Sequence, residues 1–292
     1  MNDKYYMAAL GLINGVGNKT LDKLIKFFGS AQLSWLAKDN DVVRAGLRGK
    51  TLEAFIYFRK HNSDKPEMLR EYCEREKIKL CSIFEEEYPP ILKQIDSPPM
   101  FFYYRGNLKP QAKRIAIVGS RNNTDYGQNV ALELGEQLAV AGLTVVSGAA
   151  RGIDTFAHQG ALKTGRTVAV LGCGLNAPLP SDKKNFLEQI AERGAVISEY
   201  APTMPAGAAT LLARNRIIAG LSLGVVVVEA AQKGGSVVTC NYAKKYGRKL
   251  FAVPGQIFAA QSAGCNNLIR GGATLIRNAA DILEHYEKDS NN

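Results

Sequence analysis

The spacing of hydrophobic residues changes once along the chain, near residue 76. Before this point apolar residues recur every three or four positions, so that Leu21 and Ile25 would share one face of a helix. Gly29 follows that face where a helix would end. Later segments of this region show the same spacing. The pattern predicts a small all-helical domain over residues 1–76.

Beyond residue 76, short and nearly continuous apolar runs alternate with segments of helix length. Such runs are typical of parallel strands that are covered on both faces, and the intervening segments are long enough to be crossover helices. The pattern predicts an open, doubly wound, mostly parallel α/β sheet over residues 77–286, followed by a polar tail, 287–292, that frays. The expected strands contain IKLCSIF, RIAIVG, LTVVSG, TVAVLG, GAVISE, LGVVVVE, KLFAVPG and ATLI, and SPPMFFYYRG is expected to be an extended segment punctuated by proline.

Composition narrows the possible functions only modestly. The chain is 46% hydrophobic and 22% charged, an ordinary globular balance, and its net charge of +10 favours polyanionic partners. It shows neither a membrane-length apolar run nor a basic leader, so we expect a cytoplasmic protein without membrane contact. Five widely spaced cysteines without metal spacing predict reduced thiols and no metal site.

The loops that follow the predicted strands should carry the chemistry, because ligands bind beyond the carboxyl ends of strands in such sheets. These loops are rich in small residues, which let backbone N–H groups approach an anion, and Arg121 and Arg151 lie in two of them. Taken singly, each loop is equally well explained as a tight turn, whereas the alternative for each arginine, a solvated surface residue, is the less favoured one. As a set they predict a long anion-binding rim, formed by 119–127, 147–154, 172–181, 198–207, 229–236 and 254–258.

Signatures of common enzymes are missing from these loops. The predicted strand RIAIV is followed by Gly119-Ser120-Arg121 rather than by GxGxxG. The next predicted strand, LTVVS, ends at Ser147, where a dinucleotide site requires an acidic residue. A partial GxGxxA match after TVAVL is weak, and the sequence contains no P-loop, HExxH or GxSxG. We therefore expect a binding protein without a cofactor rather than an enzyme.

Two polar clusters have a structural and a functional interpretation. Arg214 and Arg216 flank Asn215, and their guanidinium groups could hold adjacent phosphates by forked hydrogen bonds. Alternatively, they pair with Glu199 or Glu229 as a capping cluster.

Asp154 and His158 would lie on one helical face, and a catalytic dyad would also need a nucleophile such as Cys173 or Ser147. Because nothing in the sequence marks that nucleophile, a structural hydrogen bond is favoured.

Eight blocks in a fixed order resemble the DprA (Smf) family of DNA-processing proteins: RIAIVGSR, SGAARGIDTFAH, TVAVLGCGL, GAVISEY, RNRIIAGLS, VVVVEAAQKGGSVVTC, GRKLFAVPG and GCNNLIRGGA. With the YPPIL and SPPMFFYYRG segments, the resemblance covers roughly residues 78–277. The segment LINGVGNKTLDKLIKFFGS is similar to the family's N-terminal domain, of SAM or helix-hairpin-helix type. The resemblance implies an extended Rossmann-like fold behind a small helical domain.

The resemblance also implies a function. Proteins of this family bind and protect incoming single-stranded DNA as homodimers, without base chemistry, and load the recombinase RecA during natural transformation. Matching positions and the rim loops together give these DNA-binding candidates: Gly119, Ser120, Arg121, Ser147, Gly148, Arg151, Gly152, Lys183, Lys184, Arg214, Asn215, Arg216, Gly235 and Ser236. Phe186 or Tyr126 would stack on bases. Leu179-Pro180 and Leu212-Ala213 depart from the family's usual Tyr-Pro and Phe-Pro, which puts the neighbouring roles in doubt.

Two other functions remain open at this stage. Glu229, with Gly234, Gly235 and Thr239, resembles the loop of nucleotide-hydrolysing, lysine-decarboxylase-like Rossmann proteins and could cradle a nucleoside monophosphate. In the other alternative, the protein is mainly an interaction platform whose amphipathic segment ATLIRNAADILEHY forms a dimer face. That segment is at least as well explained by docking on the chain's own sheet.

Overall fold

Residues 3–75 form a helical region, as the spacing predicts. In a computed structural model, which describes residues 3–232 and 234–290, Leu21, Leu24 and Ile25 of α2 are buried and Gly29 ends that helix with φ of 89°. The Gly29 N–H donates to Ile25 O over 2.8 Å. This region comprises α1 (Asp3–Leu10), α2 (Asn18–Phe28), α3 (Ala31–Leu36), α4 (Asp39–Arg44), α5 (Gly49–His61) and α6 (Lys65–Arg75).

The rest of the described chain alternates strands with helices. The strands are β1 (Lys79–Ser82), β2 (Phe101–Gly106), β3 (Arg114–Val118), β4 (Thr144–Ser147), β5 (Thr167–Leu171), β6 (Ala195–Ser198), β7 (Gly224–Val227), β8 (Lys249–Ala252) and β9 (Thr274–Leu275). The helices are α7 (Pro90–Lys93), α8 (Asp125–Val140), α9 (Ile153–Thr164), α10 (Ser181–Arg193), α11 (Ala208–Ala213), α12 (Asn215–Gly220), α13 (Gly235–Lys245), α14 (Ala263–Arg270) and α15 (Ala279–Ser290).

All strands form one sheet in the order β1-β2-β6-β5-β4-β3-β7-β8-β9. Strand β2 pairs antiparallel with both β1 and β6, and the remaining neighbours pair parallel. The chain proceeds from β3 through β4 and β5 to β6 on one side, and then returns to place β7 on the other side of β3. The predicted doubly wound, mostly parallel sheet is confirmed, and its topological switch point lies between β3 and β7.

The two faces of the sheet are covered by different helices. Ile115 and Ile117 of β3 pack with residues of α8, α9 and α15, while Ala116 and Val118 point into a cluster with α12, α13 and α14. Both sets of side chains are buried, which explains the nearly continuous apolar runs in the sequence. The helical region shares a third cluster with β1, β2, β5 and β6, so it packs directly against one part of the sheet. The boundary at residue 76 stays a prediction.

Helix α15 covers the chain's own sheet. Ile276, just before the helix, and Ala279 and Ile282 within it are at most 3% exposed, and they pack in the cluster that contains Ile115. The apolar side that was considered as a dimer face is therefore mostly occupied within the protein. Residues 287–290 continue α15, and residues 291–292 lie outside the described residues, so the fraying expected for the polar tail, 287–292, stays a prediction.

None of the helices in the described part of the chain is long and apolar enough to cross a membrane.

Candidate nucleic-acid interface

An open pocket of about 520 Å³ lies at the carboxyl ends of β3 and β7, at the switch point of the sheet. The loops after β3, β7 and β8 form one side, and α11, α12 and the start of α13 form the other. Seven of the residues predicted from the sequence line it: Gly119, Ser120, Arg121, Arg214, Asn215, Gly235 and Ser236.

Arg121 lies at the solvent side of this pocket on a fixed loop. The Ser120 N–H donates to Glu229 O over 2.7 Å, and a Cβ on Gly119 would lie 2.7 Å from the Ile153 side chain, so only glycine lets the loop pack this closely. The Arg121 side chain itself is exposed and makes no hydrogen bond or ion pair with any described residue. Its guanidinium group is available to an anion.

The opposite wall is the amino-terminal end of α13. Gly234 precedes this 11-residue helix and provides no side-chain cap. Ser236 and Thr239 are 8% and 1% exposed and line the pocket, and within the described residues their hydroxyl groups have no hydrogen-bond partner. An uncapped helix start carries partial positive charge, so this wall offers backbone and hydroxyl donors to an anion.

Arg214 forms the floor of the pocket and is buried at 4% exposure. Its Nη1 donates to Val170 O over 2.6 Å, and its Nη2 lies 3.8 Å from Asp154 Oδ2. Burial lowers the pKa of Arg214 and raises the pKa of Asp154. The charge of Asp154 partly offsets the fall in the pKa of Arg214, and the charge of Arg214 partly offsets the rise in the pKa of Asp154. A Cβ on Gly148 would overlap the Arg214 guanidinium group, so this glycine makes room for the arginine.

The hydrogen-bond donors of the loop after β4 are paired with groups of the protein itself. The N–H groups of Gly148 and Ala150 donate to Asp154 Oδ2 over 3.2 and 3.3 Å. Ser147 is fully buried, and its Oγ donates to Ile117 O over 2.6 Å. Gly152 has φ of 90°, and a Cβ there would clash with the backbone of the β3 loop. Ser147, Gly148 and Gly152, predicted from the sequence to bind DNA, position the loop in this structure, and a direct contact with DNA stays a prediction.

Arg216 and Glu199 form an ion pair, one of the pairings that the sequence left open. The side chain of Arg216 is 11% exposed and does not line the pocket. Glu229 takes no arginine as its partner: its carboxylate accepts from Thr124 N–H over 2.9 Å and from Thr124 Oγ1 over 2.6 Å. In this structure the two arginines that flank Asn215 are thus paired with different groups of the protein, and their shared hold on phosphates stays a prediction.

Of the six basic residues that the sequence predicts to bind DNA, three are exposed at the carboxyl edge of the sheet and three are not. Lys183 donates to Ala149 O and lies 5.5 Å above the ring of Phe186, and its burial lowers its pKa. Lys184 and Arg151 are exposed and form no ion pair with described residues. Arg121, Arg151 and Lys184 are thus available to a polyanion. The other three, Lys183, Arg214 and Arg216, contact groups of the protein itself.

Comparison with known proteins agrees with this architecture. The family model for DNA recombination-mediator protein A matches residues 79–287. The chain belongs to this family. Protein Smf of Synechocystis sp. is 34% identical over 289 residues, which cover 97% of this chain and 72% of that protein. DNA processing protein DprA of Streptococcus pneumoniae is 35% identical over 276 residues, which cover 94% and 95%.

Solved structures of DprA proteins share the fold of this family member. The X-ray structure of S. pneumoniae DprA aligns with a TM-score of 0.84 at 33% identity, over 97% of this chain and 98% of that one. A Helicobacter pylori DprA structure, which addresses the single-stranded DNA binding mode of that protein, aligns with a TM-score of 0.65 at 28% identity. It covers 73% of this chain and 97% of that one.

Asp154 and His158 do not form a dyad in this DprA-family protein. Thr167 Oγ1 donates to Val145 O over 2.8 Å, so its contact of 2.6 Å with His158 Nδ1 must use a proton on the histidine. The Nε2 atom of His158 is buried without a partner among the described residues. Burial is the main reason that the pKa of His158 falls to about 3.

Some pocket residues of this DprA-family chain had no local signal in the sequence. Gln261 and Asn122 line the pocket, and Leu211 and Leu212 give it an apolar wall. Gln261 reaches the pocket because its carbonyl accepts from Ala230 N–H over 2.8 Å, which joins the loops after β7 and β8. The order of the strands, once known, would have placed that loop beside the pocket.

Proposed function

We propose that this protein binds single-stranded DNA along the carboxyl edge of its sheet, with one nucleotide seated in the pocket at the switch point. The observation that carries the proposal is the unpaired, exposed Arg121 opposite the uncapped start of α13. Both groups favour a phosphate, and the hydroxyl groups of Ser236 and Thr239 supply further donors. The H. pylori DprA structure supports the same ligand.

The shape of the pocket favours an unpaired strand. A pocket of about 520 Å³ has the size of small-molecule sites and can take a splayed nucleotide, but not a stacked base pair with both backbones. The strand's phosphates would meet Arg121, Arg151 and Lys184 through charge. Three such contacts predict a slope of roughly −2 in log K against log salt, at about 0.7 per contact on a single strand. Binding would be tolerant of base sequence.

We further propose that the protein acts in the cytoplasm as a homodimer that protects incoming DNA and loads RecA during natural transformation. The support is the family, which is described as a recombination mediator, and the DprA relatives. Five buried, unpaired cysteines suit a reducing compartment.

A binding role is also favoured over nucleotide hydrolysis. The hydrolase alternative needs a free carboxylate near the glycines at the start of α13. Glu229 is 2% exposed, and its carboxylate is held by Thr124 and packs against Gly127. It is poorly placed to activate water. Incubation with nucleoside monophosphates should release no free base, and clear release would revive the enzymatic alternative.

The decisive experiment compares single-stranded and duplex oligonucleotides of equal length by fluorescence anisotropy across a salt series. We expect tight single-strand binding that weakens with salt, and clearly weaker duplex binding. Arg121→Ala should weaken single-strand binding, whereas Arg44→Ala, an exposed arginine on α4, should not. Equal affinity for both DNA forms, or no binding at low salt, would refute the proposal.

A further inference from the structure

The loop after β8 displays two apolar side chains at its tip. Ala259 N–H donates to Gln256 O over 3.1 Å, which closes a turn with Ile257 and Phe258 at its centre. These two residues are 80% and 96% exposed. Turn centres are normally Gly, Pro, Asn, Asp or Ser, for conformational reasons. Neither residue serves the turn, and neither contributes to the core.

The base of this loop is firmly held. The side chain of Asn266 accepts from Gly255 N–H over 3.2 Å and donates to Gly255 O over 3.0 Å. Tyr126 Oη donates to Pro254 O over 2.9 Å and ties the loop to the start of α8. The tip therefore stands on a fixed base, and a ligand that contacts it has little ordering entropy to overcome.

The same loop forms part of the pocket wall. Gln261 lines the pocket, and its carbonyl accepts from Ala230 N–H over 2.8 Å. Phe258 lies three residues before Gln261, so their Cα atoms are at most about 11 Å apart. The exposed ring thus belongs to the same edge of the sheet as the pocket, on the β8 side.

We propose that Phe258 is a stacking platform for a base of the strand whose neighbouring nucleotide occupies the pocket. The inference rests on the proposed single-stranded DNA function. It places the path of the bound strand along the edge of the sheet, from the pocket toward the loop after β8. Base stacking on an aromatic ring accepts any base, in keeping with sequence-tolerant binding.

The size of the tip favours a base over a protein partner. A stable protein interface buries about 800 Å² on each side, far more than one or two side chains can offer. Gln256 and Ala259 flank the apolar pair, and neither adds a large apolar side chain to it. A single protruding ring next to an anion-binding pocket matches the alternation of bases and phosphates along a single strand.

The test pairs protein variants with oligonucleotides that lack bases. Phe258→Ala should weaken binding of a normal single strand by about 5- to 150-fold, the range measured for stacking residues. It should leave binding of an abasic strand of the same length unchanged, because that strand retains only its phosphates. Phe258→Tyr should restore normal binding. Phe27→Ala, which removes a 53% exposed ring on α2, is the matched control and should have no effect.

The outcomes separate the two proposals. If the wild-type protein binds no single strand, the proposed function fails, and this inference fails with it. If Arg121→Ala weakens binding but Phe258→Ala does not, only the stacking role is overturned. An equal loss on normal and abasic strands would also overturn it. A lower mass of Phe258→Ala in light scattering, with unchanged DNA affinity, would instead assign the tip to contact between copies.

Discussion

The carboxyl edge of the sheet has two halves that use the same residue types differently. In the loops after β3, β7 and β8, here called the open half, Arg121 is unpaired and the hydroxyl groups of Ser236 and Thr239 face a pocket. In the loops after β4, β5 and β6, the closed half, Arg214 and Asp154 are buried against one another. Both halves contain Gly-rich loops and arginines.

The two halves differ in whether their buried and polar donors find acceptors within the protein. The closed half pairs its buried donors internally, while its surface residues Arg151 and Lys184 stay exposed. Burying a charged pair stabilises a structure only when each charge keeps its partner. The open half leaves its donors for a ligand. A change at the buried groups of the closed half should therefore act on stability, and a change at the unpaired groups of the open half on binding.

The largest expected effect is in the closed half, at Asp154. Asp154→Ala would leave the buried guanidinium of Arg214 without its partner and two backbone N–H groups without an acceptor. We expect a loss of about 3–5 kcal/mol in the free energy of unfolding, measured by urea denaturation. Asp182→Ala, an exposed carboxylate in the first turn of α10, should change it by no more than about 0.5 kcal/mol. Similar losses in the two variants would remove the distinction between the halves.

A pair of glycines gives the next largest contrast. Gly148→Ala would push a methyl group into Arg214, and we expect a loss of about 1–3 kcal/mol in the free energy of unfolding. Gly235→Ala in the open half has no atom within 4 Å of the added carbon, so it should be neutral or slightly stabilising. Thermal melts of both variants would show this. A stable Gly148→Ala protein would mean that Arg214 can move aside.

His158 gives the closed half a pH dependence. Its pKa of about 3 in the folded protein is below that of an unfolded histidine, about 6.5, so the unfolded chain binds more protons between these values. Stability from this residue is present above pH 6.5 and is lost as the pH falls. Between pH 7.5 and 5.5, wild type should lose about 1.4 kcal/mol more than His158→Gln. Parallel stability curves for the two proteins would contradict this account.

The smallest effect on stability should come from Arg121→Ala, which removes an exposed and unpaired side chain. Its free energy of unfolding should stay within about 0.5 kcal/mol of wild type. Affinity for single-stranded DNA should fall about tenfold at low salt, and the salt slope should shrink by about 0.7. Arg214→Ala is the counterpart in the closed half and should unfold at clearly lower urea concentration. Equal stability of the two variants would count against the comparison.

The sequence was sufficient to predict the sheet and the edge that carries the site. Continuous apolar runs identified the parallel strands, and the small residues after them identified Arg121 and the start of α13. These features are local, because a strand and the loop that follows it are adjacent in the chain.

Which arginines pair within the protein and which stay exposed could not be predicted in the same way. Arg214 and Arg216 look equivalent in the sequence, but one turns toward Asp154 and the other toward Glu199. Both partners are distant along the chain, and burial decides between them only after folding. The packing role of Gly148 could not be predicted for the same reason, since the side chain that needs its space comes from a different loop.

The position of β3 has a consequence for the timing of folding. It pairs with β4, its successor in the chain, on one side, and with β7 on the other, where Ile115 is opposite Gly224. A ribosome releases the Arg121 loop well before β7 and the loop that holds Gln261 emerge. Until then one edge of β3 is unpaired and the pocket lacks a wall. A nascent chain therefore gains its pocket only after the loop that holds Gln261 has been made.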